Sequence, residues 1–449
     1  MKRNRLLVLS SAALLASGAL MFACSGGDDD NDSGTDAAKT DAKADQTTTD
    51  AKADSPTTDG GADTGNDATI NDATTDTTTS DAAEDADADD GGTVITDGSS
   101  DAITDSSTDG GTATTFMVLR VGGAVDAGGA TALTGGSTQV YLEERMISDG
   151  SLVRVIALPT AADDAGNEPF AVQGNSTAEG SLTRSVNGHY VVIGGYGIAP
   201  GNWADASVAS KTSYDGGVPR VIARVDNSGN VDTTTQLNAF NATNIRGVAS
   251  NDGTAFWATG AANDGTPYVV LSSTGAVTDL QTTLLNERVV QIFGGQVYVS
   301  ASSGAYHGVS TIGTGMPTDG GQAVTLLPGM PVDSGSPYGF SMFDLDGSVS
   351  GLDTLYIADD TGSNAGVQKW VFDGNTWTKI ATFTDKAVQG FRGLTAYFDG
   401  TNVILLATTG DAQSIVKYTD DGVNTSPTGT VLATAPTNTA FRGIALSPQ

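Results

Sequence analysis

The chain ends partway through a repeat. Its closing stretch, Phe441-Arg442-Gly443-Ile444-Ala445-Leu446, copies Phe391-Arg392-Gly393-Leu394-Thr395-Ala396 and, more loosely, Ile245-Arg246-Gly247-Val248-Ala249-Ser250. After each earlier copy come an Asp-Gly turn and a second apolar run; after the last, only Ser447-Pro448-Gln449 remain. A unit that stops after its first strand must find its other strands elsewhere. The unassigned strands are Phe116–Val121, Val140–Met146 and Leu152–Leu158, ahead of the first full repeat. Residues 441–446 are therefore expected to pair with them and close a ring.

Between those ends the pattern is short apolar runs bounded by Gly, Asn and Asp, which signals strands, and no stretch keeps a helical period. The clearest unit runs from Arg246–Ser250 over an Asn-Asp-Gly turn to Ala255–Ala258, then Tyr268–Leu271 and Ala276–Leu280. Four strands joined by tight turns make an antiparallel meander. First strands fall near 184, 246, 288, 340, 392 and 442, a period of about 42–62 residues. Four-stranded repeats at that period predict an all-β fold, a single β-propeller over residues 116–449. Six blades are expected; a seventh stays open because the loops at 159–181 and 197–218 are long enough to hide strands. The texture resembles propellers of secreted bacterial proteins and, loosely, NHL and gluconolactonase-type rings.

Composition divides the rest. Of the formal net charge of -32, nearly two thirds falls in residues 25–115, with 24 acidic side chains, three lysines and no aromatic residue. Such a segment cannot bury enough apolar surface to offset its ordering entropy, so 24–115 reads as a disordered tether spanning about 50–60 Å as a flexible coil. Ahead of it, Lys2, Arg3 and Arg5 precede an apolar run from Leu6 to Ala23, the layout of a signal peptide over 1–23. Leu20-Met21-Phe22-Ala23-Cys24 resembles the lipobox of bacterial lipoproteins, in which the cysteine takes the lipid; the bland alternative is an ordinary secretion signal. The resemblance implies lipidation at Cys24, an outer-membrane location, and membrane contact through that lipid alone. Ser25 and Gly26 lack the aspartate that retains such proteins in the inner membrane. Cys24 is the sole cysteine, which rules out a disulfide framework. The acidity of both parts argues against nucleic acid as a partner.

The sharpest chemical feature is an arginine at one place in five of six repeats: Arg184, Arg246, Arg288, Arg392 and Arg442, with Phe340 in the fifth. These are half of the ten arginines in residues 116–449. At the start of innermost strands they would crowd the channel mouth and repel one another unless carboxylates or an anion sat between them. Each either crosses to the next blade as a clamp or faces an anion. A second candidate, Asp344, Asp346 and Asp353, resembles a calcium loop but lacks the EF-hand spacing, and a hairpin turn is the plainer reading. Trp203, in a polar loop, is the candidate for stacking on a ligand; Trp257, Trp370 and Trp377 fall in strands, where packing accounts for them. His189 and His307 are joined by no catalytic spacing.

The expected function is a non-catalytic, surface-displayed binding module for a glycan, protein or small anion. It would be monomeric and without a cofactor, a calcium ion apart. The competing expectation is a metal-assisted hydrolase or lactonase at the channel mouth. The sequence does not choose between enzyme and binder beyond this leaning.

Overall fold

A computed structural model describes residues 114–449, apart from 125–127, 130, 204–205, 215, 262–263 and 333–334. The signal peptide, Cys24 and the tether lie outside these residues.

Six sheets follow one another around a ring, each a four-stranded antiparallel meander, the second of which gains a short fifth strand, Thr274–Gly275, parallel to Val231–Leu237. In the first blade the innermost strand is Ala440–Leu446, followed outward by Thr115–Val121, Val140–Met146 and Leu152–Ala157. The C-terminal strand thus pairs with the first strand of the domain, Phe116 opposite Leu446 and Val118 opposite Ile444. The ring closes as expected.

The other five blades begin at Leu182–Arg184, Ile245–Ser250, Glu287–Phe293, Pro337–Phe343 and Phe391–Phe398, each running outward in chain order. The number is six. Of the two loops that left room for a seventh, 159–181 supplies only a short strand, Val172–Gln173, paired with Ser137–Thr138 of the loop within the first blade. Among the described residues the only helical element is a turn of 3-10 helix, Gly362–Asn364.

Six apolar clusters occupy the six seams between neighbouring blades. Alternation along one strand shows how: Met117, Leu119 and Val121 face the second blade, while Phe116 and Val118 face the sixth. A strand buried on both faces reads as a continuous apolar run, not an alternating one. That is why the strand Phe116–Val121 has no exposed residue even though it is interrupted by a charge. The charge, Arg120, is buried with its Nε on Glu143 and its Nη1 on the Gly122 carbonyl at 2.6 Å.

The Arg-Gly pair of the repeat has a structural reason. In the third, fourth, sixth and first blades Arg246, Arg288, Arg392 and Arg442 sit at an irregularity in the ladder between the two innermost strands. The glycine that follows Arg246, Arg392 and Arg442 brings the backbones of adjacent blades together, whereas Val289 follows Arg288. A Cβ on Gly393 would lie 2.5 Å from the Arg442 carbonyl oxygen, and one on Gly443 would overlap Gly180 O and Leu182 N. Buried hydroxyls stitch these seams. Thr408 Oγ1 accepts the Gly393 N–H at 3.0 Å and donates to Arg442 O at 2.6 Å, and Thr259 Oγ1 donates to Arg288 O at 3.0 Å.

Candidate functional site

In every blade but the second, a ladder irregularity near the start of the innermost strand releases a residue from regular pairing and frees its side chain for other contacts. Two of the sequence assignments change here. In the fifth blade the position belongs to Tyr338, because the irregularity falls between Pro337 and Phe340. Phe340 pairs regularly with Ile357 and is buried in the seam. In the second blade Arg184 lies in regular register opposite Val191, at the far end of a three-residue strand. The close approach to Gly443 is made by Gly180, whose carbonyl accepts the Gly443 N–H at 3.0 Å. The mouth therefore gathers four arginines and a tyrosine.

Each arginine reaches the neighbouring blade. Arg392 binds Asp360 through Nε at 2.7 Å and Nη2 at 2.6 Å, and its Nη1 donates to Thr177. Arg246 Nη1 donates to Asn286 Oδ1 at 2.6 Å and to the Glu287 carbonyl at 3.1 Å. Arg442 Nη2 donates to the carbonyls of Gln173 and Gly174 at 2.9 and 2.5 Å. Arg288 places its guanidinium carbon 4.1 Å from the Tyr338 ring centroid, and Arg392 approaches the same ring at 4.8 Å. These are cation–π contacts.

Residues 173–181 run over this cluster. Within them Thr177 meets Arg392, Ala178 packs against the seam between the fourth and fifth blades, and Glu179 is buried. Glu179 takes the Tyr196 hydroxyl at 2.9 Å, the Gln173 N–H at 3.0 Å and the Asn244 amide. Burial pushes its carboxyl up from the ordinary range, and the Arg442 guanidinium pulls it partly back. Burial also lowers the arginines. Arg442 is brought down to about 10, and Arg246 is lowered further by the charge of Arg288 beside it. Nε and Nη1 of Arg442 and Nε of Arg246 are buried without a hydrogen-bond partner. Four cations thus face Glu179 and Asp360, and the charge of Arg288 also reaches Asp359. A positive mouth on so acidic a protein can hold a small anion by charge and by the planar N–H fork.

Two of these groups escaped the sequence analysis. Tyr338 was signalled by the glycine after it, since Pro337-Tyr338-Gly339 keeps the spacing of Phe391-Arg392-Gly393. Glu179 had no signal beyond its rarity, as one of five glutamates in residues 116–449. A third, Arg220, is fully buried and organises the loops around the mouth: it donates to the carbonyls of Ala209, Lys211, Val218, Phe240 and Thr243.

The remaining candidates lie elsewhere. Trp203 stands in an exposed loop at a left-handed φ of 52°, its ring covered by the Lys211 ammonium at 4.9 Å. Asp353 is buried and takes the N–H groups of Leu345 and Asp346 and the Thr354 hydroxyl, the work of a turn. Asp346 likewise accepts the Ser348 N–H and hydroxyl. Among the described residues no three His, Cys, Asp or Glu side chains stand together as a metal site, at Asp344, Asp346 and Asp353 or anywhere else.

The molecule is a six-bladed β-propeller whose innermost strands bring Arg288 beside Arg246 and both Arg288 and Arg392 onto the Tyr338 ring. No protein-family model matches the chain, and no curated protein matches it. Among solved structures it is similar to a chain of a nidogen/laminin complex, at 15% identity and a TM-score of 0.41, over 73% of this chain and 97% of that one. It is also similar to a putative 6-phosphogluconolactonase from Bacteroides uniformis, at 13% identity and a TM-score of 0.37, over 73% and 99% of the two chains. Another from Bacteroides fragilis shares 12% identity at a TM-score of 0.38, over 74% and 98%. Likeness at this level carries no argument about ligand or chemistry.

Proposed function

We propose that this chain is a lipid-anchored, surface-displayed binding module whose propeller mouth takes a small anionic group, a carboxylate or a phosphate. The observation that carries the reading is Arg288. It stands beside Arg246 and shares the Tyr338 ring with Arg392, and its guanidinium makes no hydrogen bond or salt bridge among the described residues, acting on Asp359 only through space. Arg246 and Arg392 are held by Asn286 and Asp360, so they present their remaining N–H groups from fixed positions. Preorganised donors lose little entropy on binding. The tether and lipid on Cys24 would hold the ring clear of the outer membrane, with the mouth open to a dissolved or surface-bound ligand.

A metal-assisted hydrolase or lactonase would need several ligating side chains around one point, and the described residues offer no such group. The binding reading is therefore the one developed.

Calorimetric titration of the purified protein with phosphate and with an oligogalacturonate, at low salt, tests it. Saturable binding is expected for at least one of them, weakened roughly tenfold or more in Arg288→Met, the loss of one charge-assisted hydrogen bond. The melting temperature of Arg288→Met should stay that of the parent. Absence of saturable binding by the parent protein, or equal affinity in the variant, overturns the reading.

A further inference from the structure

A cavity of about 220 Å3 opens in the seam between the fourth and fifth blades, and none of the four arginines lines it. Trp370 and Met330 form apolar walls. The polar walls are held in place by hydrogen bonds to one another. Trp370 Nε1 donates to Gln368 Oε1 at 2.9 Å, and Gln368 Nε2 donates to Asp359 Oδ2 at 3.2 Å. Asp359 also takes the N–H groups of Ser336 and Thr361, at 2.9 and 2.8 Å. Lys379 Nζ donates to Asn364 Oδ1 at 2.8 Å, and His307 Nδ1 lies 3.3 Å from both Ser302 Oγ and the Gly335 carbonyl.

This network fixes His307, Asn364 and Lys379 by one polar atom each and leaves further donor or acceptor capacity on each of them. His307 Nε2, Asn364 Nδ2 and two protons of Lys379 have no hydrogen-bond partner among the described residues. His307 Nε2 accepts or donates according to tautomer, whereas the amide and ammonium only donate. A hydroxyl group, which does both, satisfies such a mixed set. Charge points the same way. Among the described lining residues there is one lysine, Lys379, and one carboxylate, Asp359, and the carboxylate already accepts three hydrogen bonds. It therefore exerts little net pull on an ion. The volume falls below the roughly 300–1,000 Å3 of pockets for drug-sized ligands, which limits the occupant to about one ring.

We infer that this cavity is a binding site for a single uncharged sugar ring, with Trp370 and Met330 against its carbon skeleton and His307, Asn364 and Lys379 on its hydroxyls. The site shares no side chain with the arginine cluster, although the charge of Arg288 reaches Asp359 in its wall.

The test is ligand-observed saturation-transfer NMR on the purified protein with glucose, galactose, mannose and N-acetylglucosamine. At least one should bind saturably in the millimolar range. Lys379→Met and His307→Leu should each weaken it roughly tenfold, as expected for one lost hydrogen bond in a tight site, while Arg288→Met leaves it unchanged. Lys379 is exposed, so that variant keeps its fold and decides the matter if His307→Leu does not fold. Failure of all four sugars to bind, affinity unaltered by Lys379→Met, or loss of binding in Arg288→Met overturns the inference.

Discussion

Asp360 takes two hydrogen bonds from Arg392, one through Nε and one through Nη2, across the seam between the fifth and sixth blades. The carboxylate is nearly buried, at 10% exposed, and the guanidinium is a quarter exposed. A charge-assisted pair in that setting outweighs an ordinary surface ion pair. Arg392→Leu should therefore lower stability by about 1–3 kcal/mol, read as a lower denaturant midpoint with an unchanged slope. Asp360→Asn, which keeps an acceptor, should cost less.

Removal of residues 440–449 opens the ring. Phe441, Ile444 and Leu446 are almost completely buried, and each such side chain contributes about 1.5–3 kcal/mol. Their combined loss is comparable to the whole stability of an ordinary domain. The truncated protein should lose its cooperative thermal transition by circular dichroism, and an intact transition would show that closure is dispensable.

Two glycines should respond differently to alanine. At Gly443 the added Cβ would meet the backbone of Gly180 and Leu182, which cannot yield without parting the first and second blades. At Gly188 nothing lies within 4 Å, and only the φ of +79° opposes a side chain. Gly188→Ala should cost about 1–2 kcal/mol, and Gly443→Ala distinctly more, both by equilibrium unfolding.

Glu287 gives stability a pH dependence. It is fully buried, and burial pushes its carboxyl from the ordinary 4.5 up to about 8 against the opposing hydrogen bonds from Thr266 and Gln281. Between those values the folded state keeps a proton that the unfolded chain has released. This contribution to stability is full below about pH 4.5 and declines as pH rises to about 8, by up to about 1.4 kcal/mol per pH unit. Glu287→Gln should flatten the fall of unfolding free energy between pH 5 and pH 8 relative to the parent, whatever its effect on absolute stability. Parallel curves for the two proteins would refute the assignment.

The sequence carried the fold further than the site. Each blade solves the same packing problem, so an apolar run, a turn and an Arg-Gly pair recur, and the interrupted last copy implied the partner of Thr115–Val121. The same recurrence misled at two points. Phe340 stands where an arginine was sought in the fifth repeat, but the ladder irregularity gives that place to Tyr338, whose following glycine matches that of Arg392. Arg184 followed the repeat in sequence but sits at the other end of a shortened strand.

What the sequence by itself determined is whatever depends on near neighbours: strand periodicity, the glycines that let blades meet, and the repeat of one four-stranded unit. Only the tertiary structure decided which groups share the mouth. Glu179 meets Tyr196 and Asn244, Arg442 meets Gln173, and Arg220 gathers five carbonyls from separate loops. Hydrogen bonds between residues up to 269 positions apart leave no period in the chain. They exist because closing the ring brings loops together that share no local pattern.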